Sequence, residues 1–154
     1  MLDKPHIVQT TAQPTAVIHL VVPRDEIQTV MGASHRELME AVAAQGVVPA
    51  GPWFTHHFKA PDETFDFEIG VPVRTPIAPA GRVRPSELPA TRVARTVYRG
   101  SYEGLGSAWG ELMGWIAAQR QTPAKDLWEV YVAGPESGSD PTTWRTELNR
   151  PLSR

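Results

Sequence analysis

The sequence predicts an α+β fold made of two strand-helix-strand-strand units, forming one pseudo-twofold domain with an antiparallel sheet and two helices. Three observations lead there. Strand-like and helix-like periodicities occur twice in the same order. The prolines fall between the periodic segments rather than inside them. A closing motif also recurs: Glu68-Ile69-Gly70-Val71-Pro72-Val73 matches Glu147-Leu148-Asn149-Arg150-Pro151-Leu152, 79 residues further on. Internal repetition of this kind outweighs any single-element reading. A chain of 154 residues suits one domain over 1–154, with a first repeat at about 14–73, a linker at about 74–91 and a second repeat at about 92–152.

In the first repeat, Ala16 to Val22 is a continuous apolar run stopped by Pro23, which predicts a buried strand. Asp25 with Gln28 makes a capping-box pattern. Ile27, Val30, Met31, Ser34, Leu38, Ala41 and Val42 then recur at helical spacing up to Gly46, a natural stop. Trp53 to Phe58 predicts a second strand, Ala60 to Glu63 a turn, and Phe65 to Val73 a third strand. Residues 74–91 carry Pro76, Pro79, Pro85 and Pro89 with Arg74, Arg82 and Arg84, and are expected to be a partly extended linker.

The second repeat opens on a strand at Val93 to Tyr98, followed by Gly100 and Ser101, an expected N-cap. Leu105, Trp109, Leu112, Met113 and Ile116 form a helical stripe running to about Arg120, closed by Pro123. Leu127 to Val132 is the next strand, Gly134 to Pro141 a loop, and Trp144 to Leu148 a last strand expected to end before Pro151. Within the helix, Gly106, Gly110 and Gly114 stand four apart. Each costs roughly 1 kcal/mol relative to alanine, so the stripe predicts close approach of another backbone, with room for a flat ligand as the alternative.

Bulk composition excludes several classes. An apolar fraction of 41% and a charged fraction of 21% describe a globular chain. A net charge of −2 gives no general pull toward nucleic acid or anionic membrane. Cysteine is absent, which rules out disulfides, thiolate catalysis and cysteine-ligated zinc. The five histidines lack a His-x-x-x-His spacing, so no metal or other cofactor is expected. No signal-peptide pattern or membrane-length run is present, and the expected location is cytoplasmic.

The chemistry gathers at Leu127-Trp128-Glu129-Val130-Tyr131. Alternation puts Leu127, Glu129 and Tyr131 on one face, and turns Trp128 toward the core on the other. A carboxylate among apolar and aromatic neighbours is costly to bury unless a hydrogen bond, a shifted pKa or an external cation compensates it. Five tryptophans in a chain this size add π faces, which attract cations.

Together with Gly100-Ser101-Tyr102, Trp144-Arg145-Thr146-Glu147, Gly51-Pro52-Trp53-Phe54 and the two closing motifs, this stretch resembles the GyrI-like small-molecule-binding domain. That family includes effector-binding domains of AraC-type and MerR-type multidrug regulators as well as free-standing proteins. The resemblance covers nearly all of residues 14 to 152. It departs at Tyr98, where the family often has histidine, so no role depending on that imidazole is carried over. No DNA-binding helices precede the domain, which points to the free-standing form with no transcription regulation implied; on the net charge, neither nucleic acid nor membrane is an expected partner.

The resemblance implies a ligand cleft between the repeats, with Glu129 as buried counter-charge to a bulky, amphipathic, aromatic and cationic small molecule. Tyr131, Tyr102 and Trp109 are expected to surround it. In the first repeat, an offset of 74 residues aligns Pro61 with Pro135 and turns Trp53, Thr55 and His57 toward the ligand. An offset of 75 aligns Trp53 with Trp128 and turns Phe54 and His56 inward instead, because a one-residue slip reverses every face. The first is preferred. Two alternatives stand beside the binder. One is a hydrolase of cyclopropane-type electrophiles, with Glu129 as general base and Tyr102 or Tyr131 as proton donor. The other is an interaction protein of gyrase-inhibitor type, with DNA gyrase as partner.

Overall fold

The computed structural model describes residues 2–59 and 62–153. In chain order its strands are β1 (His6–Gln9), β2 (Gln13–Pro23), β3 (Phe54–His57), β4 (Thr64–Pro72), β5 (Arg84–Leu88), β6 (Arg92–Arg99), β7 (Thr122–Pro123), β8 (Leu127–Ala133) and β9 (Arg145–Ser153). The helices are α1 (Ile27–Ala44) and α2 (Leu105–Ala118). They divide into two compact units, one of Thr11–Ala90 and one joining Met1–Thr10 to Thr91–Arg154.

In the Thr11–Ala90 unit the strands run antiparallel in the order β3-β4-β2-β5. Register sets the faces. Ile18 lies opposite Ile69 and Leu20 opposite Phe67, and these side chains pack with Leu38 and Val42 of α1. Complete burial of a leucine such as Leu38 stabilises a fold by roughly 1.5–3 kcal/mol. Gly46 ends this helical run with φ +68, a left-handed conformation open to glycine.

The other unit has the order β1-β6-β9-β8, with β7 on β9. Ala94, Tyr98, Leu148 and Leu152 meet Ala108, Leu112 and Ile116 of α2. Within each unit the longer elements run strand, helix, strand, strand; the Thr11–Ala90 unit adds the short β5, and the other unit adds the short β1 and β7.

Several expectations need correction. Neither helix uses its expected side-chain cap: Asp25 lies in a 3₁₀ turn, Arg24–Glu26, and Ser101 precedes another, Tyr102–Gly104. Those tighter turns satisfy the first amides through backbone bonds, Ile27 N–H to Arg24 O and Leu105 N–H to Tyr102 O. The proline-rich segment is not simply a linker, since it contributes β5 to the edge of β2. β9 continues through Pro151 rather than stopping before it. Its Pro151 carbonyl accepts from Ala124 N–H, so the missing donor faces the loop between β7 and β8 and not the β6 ladder. Of the turn expected at Ala60 to Glu63, Ala60 and Pro61 lie outside the described residues; Asp62 accepts from Thr64 N–H. Glu68 and Glu147 both point away from the helix of their unit. Glu68 faces His19 and His56, and Glu147 faces Arg95 and Asn149.

The glycine stripe is the clearest reversal. A Cβ placed on Gly106, Gly110 or Gly114 would meet nothing within 4 Å. The stripe is exposed, and among the described residues no backbone outside the helix comes within 4 Å of those positions. Replacing Gly110 with alanine is therefore expected to raise stability by about 0.5–1 kcal/mol in urea unfolding. A loss of stability would mean that the open side of α2 is in fact closely packed.

Candidate functional site

The site is assembled by α2, the strands beneath it and the loop after β8. Glu129 lies opposite Leu148 and Tyr131 opposite Thr146, which places both on the sheet face that carries α2. Trp109, one turn before Met113 on α2, reaches down to them. Its indole N–H donates to Glu129 Oε2 at 2.6 Å, and the Tyr131 hydroxyl donates to Glu129 Oε1 at 2.8 Å. Each carboxylate oxygen thus has its own neutral donor.

Glu129 keeps some accessible surface as a residue, yet its carboxylate is deep enough that burial pushes the pKa up. The bonds from Trp109 and Tyr131 oppose that shift by favouring the charged form. Among the described residues no cation pairs with it. The face therefore holds an acid whose charge is oriented but not neutralised.

Aromatic rings continue the surface. The Tyr102 ring stands edge-on to Tyr131, with centroids 6.0 Å apart, and lies 5.2 Å from Trp144 at a tilt of 35°. Trp144 is fixed by its indole N–H, which donates to Gly138 O at 3.0 Å. The Tyr102 hydroxyl sits where a Cβ of residue 134 would be, 2.5 Å from that point. A side chain at residue 134 would force that hydroxyl to move. Burial, then the charges of Glu136 and Glu129, push the Tyr102 phenol above its usual range. The neighbouring Thr146 hydroxyl is fully buried and finds no hydrogen-bond partner among the described residues.

The hydrogen bonds and ring contacts bring together four of the predicted residues: Glu129, Tyr131, Trp109 and Tyr102. Trp128 is buried on the opposite face of β8, across from Asn149. Trp53, Thr55 and His57 belong to the Thr11–Ala90 unit. There Thr55 and His57 pair with Ile69 and Phe67, on the face that carries α1. Trp53 meets the His35 ring edge-on at 4.8 Å. His57 stacks on Phe67 at 5.1 Å, and burial, with the adjacent His56, lowers its pKa to about 4. Among the described residues no group of three or more His, Asp or Glu could hold a metal ion.

Sequence reasoning did not foresee Gly134, Glu136 or His35. A glycine directly after an aromatic strand, followed by Pro135 and an acid, is a legible sign of a loop folded back on that strand.

A family model of the GyrI-like small molecule binding domain matches residues 3–153. The chain belongs to that family. Its fold agrees with solved structures. The EcmrR C-terminal domain is 18% identical over 98% of both chains, with a TM-score of 0.86. SAV2435 bound to tetraphenylphosphonium is 16% identical, covers 98% of this chain and 94% of its own, and has a TM-score of 0.68. A hydrolase encoded by lin2189 from Listeria innocua is 12% identical, with 97% and 92% covered and a TM-score of 0.67. In an EcmrR–DNA complex the chain spans 57% of the EcmrR chain. No curated protein matches. Membership in the GyrI-like family makes this a small-molecule-binding domain. No described helix is long and apolar enough to cross a membrane.

Proposed function

We propose that the domain binds flat or bulky aromatic cations, with Glu129 as counter-charge. One observation carries this reading: both oxygens of a deep carboxylate accept from neutral donors, Trp109 and Tyr131, and among the described residues no cation answers its charge. The indole of Trp109 can only donate, and both contacts favour the charged form of Glu129 against the burial that disfavours it. A ligand cation then relieves the desolvation penalty, and the Tyr102, Tyr131 and Trp144 rings offer it π faces. The relative SAV2435 takes tetraphenylphosphonium, a cation of this class. Trp53, Thr55 and His57 are assigned to ligand contact through the 74-residue offset between the repeats, together with the cleft that the resemblance implies.

A thermal-shift series tests the reading. A flat aromatic cation such as ethidium at about 100 times its Kd stabilises the native state by about 2.7 kcal/mol, a rise of roughly 5–10 °C for a chain of this size. A neutral analogue of the same shape shifts it less. Equal shifts from both would remove the electrostatic part of the proposal.

The hydrolase reading has its own supporting contact, the Tyr131 hydroxyl on the Glu129 carboxylate. In that scheme Glu129 takes a proton from water as the water oxygen bonds to the substrate carbon. The ring C–C bond breaks, its electron pair moves onto a conjugated carbonyl, and Tyr102 or Tyr131 supplies the proton there. Wild-type protein is then expected to consume a cyclopropane-bearing alkylator, with a rate that falls as pH drops through a value above the usual ~4.3 of glutamate. Glu129→Ala abolishes that turnover. Tight binding without substrate loss in the wild type excludes the hydrolase and keeps the binder.

A further inference from the structure

We propose that Glu136 is a second, outer counter-charge of the same site, and that the site prefers elongated aromatic dications over monocations. The inference rests on the reading of Glu129 as the inner counter-charge.

The loop after β8 is folded so that it returns an acid to the aromatic face. Gly134 N–H donates to Glu136 Oε1 at 3.0 Å, and the Ser137 hydroxyl donates to Gly134 O at 2.7 Å. These bonds fix the carboxylate beside its own strand instead of leaving it free in the loop. The point where a Gly134 Cβ would stand lies 2.9 Å from Glu136 Oε2 and 2.5 Å from the Tyr102 hydroxyl. The acid and the phenol therefore converge on one spot. On its other side Tyr102 meets Tyr131, which holds Glu129. The row is Glu129, Tyr131, Tyr102, Glu136, with Trp144 flanking Tyr102.

A monocation can satisfy only one end of this row. A ligand with a second positive group on an arm can lay its ring system on Tyr102 and Trp144 and set one charge near each carboxylate. Gly134, just past the end of β8, stands five positions after Glu129, so at about 3.3 Å per residue the backbone separation is at most about 17 Å. That spacing favours a cation of several fused rings with a pendant ammonium over a compact sphere. The two ends also differ in kind. Glu129 works in a partly desolvated place and Glu136 is exposed, so the outer contact is weaker and screened by salt.

Ethidium and propidium form a matched pair for the test, sharing one phenanthridinium while propidium adds a quaternary ammonium on its side arm. Fluorescence titration of the wild-type protein at low salt is expected to show propidium bound about threefold to fivefold more tightly. Glu136→Gln keeps an oxygen acceptor for Gly134 N–H, so the loop stays folded. It is expected to cancel the propidium preference, lowering propidium affinity about threefold to fivefold more than ethidium affinity. Glu129→Gln is expected to weaken both dyes. Wild-type binding of ethidium without any propidium preference overturns this proposal and leaves the inner site standing. Equal loss of both dyes in Glu136→Gln overturns it too, since the residue would then only support the loop. If the wild type binds neither dye, the cation reading of Glu129 falls and this inference falls with it.

Discussion

Glu129→Gln is expected to lower affinity for flat aromatic cations by roughly 10- to 100-fold, while neutral analogues of the same shape lose little. The substitution removes charge and almost nothing else. Glutamine keeps a side-chain oxygen that can accept from Trp109 or Tyr131, so the two donors now at 2.6 and 2.8 Å are not both abandoned. The lost quantity is a charge-assisted contact in a partly desolvated place, about 1.5–3 kcal/mol. Isothermal titration of a cation and its neutral isostere against both proteins gives the comparison directly. The same change removes the unfavourable burial of an acid whose pKa is raised, so the unliganded variant is expected to be no less stable than the wild type. Equal weakening of charged and neutral ligands would make Glu129 a scaffold residue.

The part of this site that could be read from the sequence was the part governed by strand alternation. In Leu127-Trp128-Glu129-Val130-Tyr131 a period of two separates Glu129 and Tyr131 from Trp128, and the register opposite β9 keeps that separation. Trp109 followed from the helical stripe, because its neighbours Leu112 and Ile116 are core. What resisted reading were features set by tertiary context. β1 and β5 are short edge strands of four and five residues, and they are ordered by pairing with β6 and β2 rather than by their own periodicity. Pro151 argued against a strand on local grounds, and only the position of Ala124 makes it harmless there. The Asp25 capping pattern was present, yet a 3₁₀ turn took its place. The return of Glu136 onto Tyr102 depends on Gly134 having no side chain, and no spacing rule marks that contact.

His57 should make the fold lose stability in mild acid, by about 3 kcal/mol between about pH 7 and about pH 4. Its imidazole is only 7% exposed, stacked on Phe67 and flanked by Phe65, and its Nδ1 has no hydrogen-bond partner among the described residues. Burial is the main reason that the pKa falls to about 4, and the adjacent His56 adds to it. In the unfolded chain the same group titrates near ~6.5. Between those two values the unfolded state takes up a proton that the folded state refuses, so stability is full above ~6.5 and declines as pH drops toward 4. Two acids act the other way. Glu68 and Glu129 have pKa values raised by burial, so the native state gains protons before the unfolded chain does and regains some stability as pH falls toward ~4.3. The total pH profile therefore mixes opposing contributions. The difference between wild type and His57→Phe isolates one of them, because phenylalanine keeps a flat ring against Phe67 and cannot titrate. Urea unfolding of both proteins at several pH values is expected to show the variant losing about 3 kcal/mol less than the wild type across that interval. Parallel profiles would mean that His57 takes up its proton in the folded protein as readily as in the unfolded chain, and that acid destabilisation arises elsewhere.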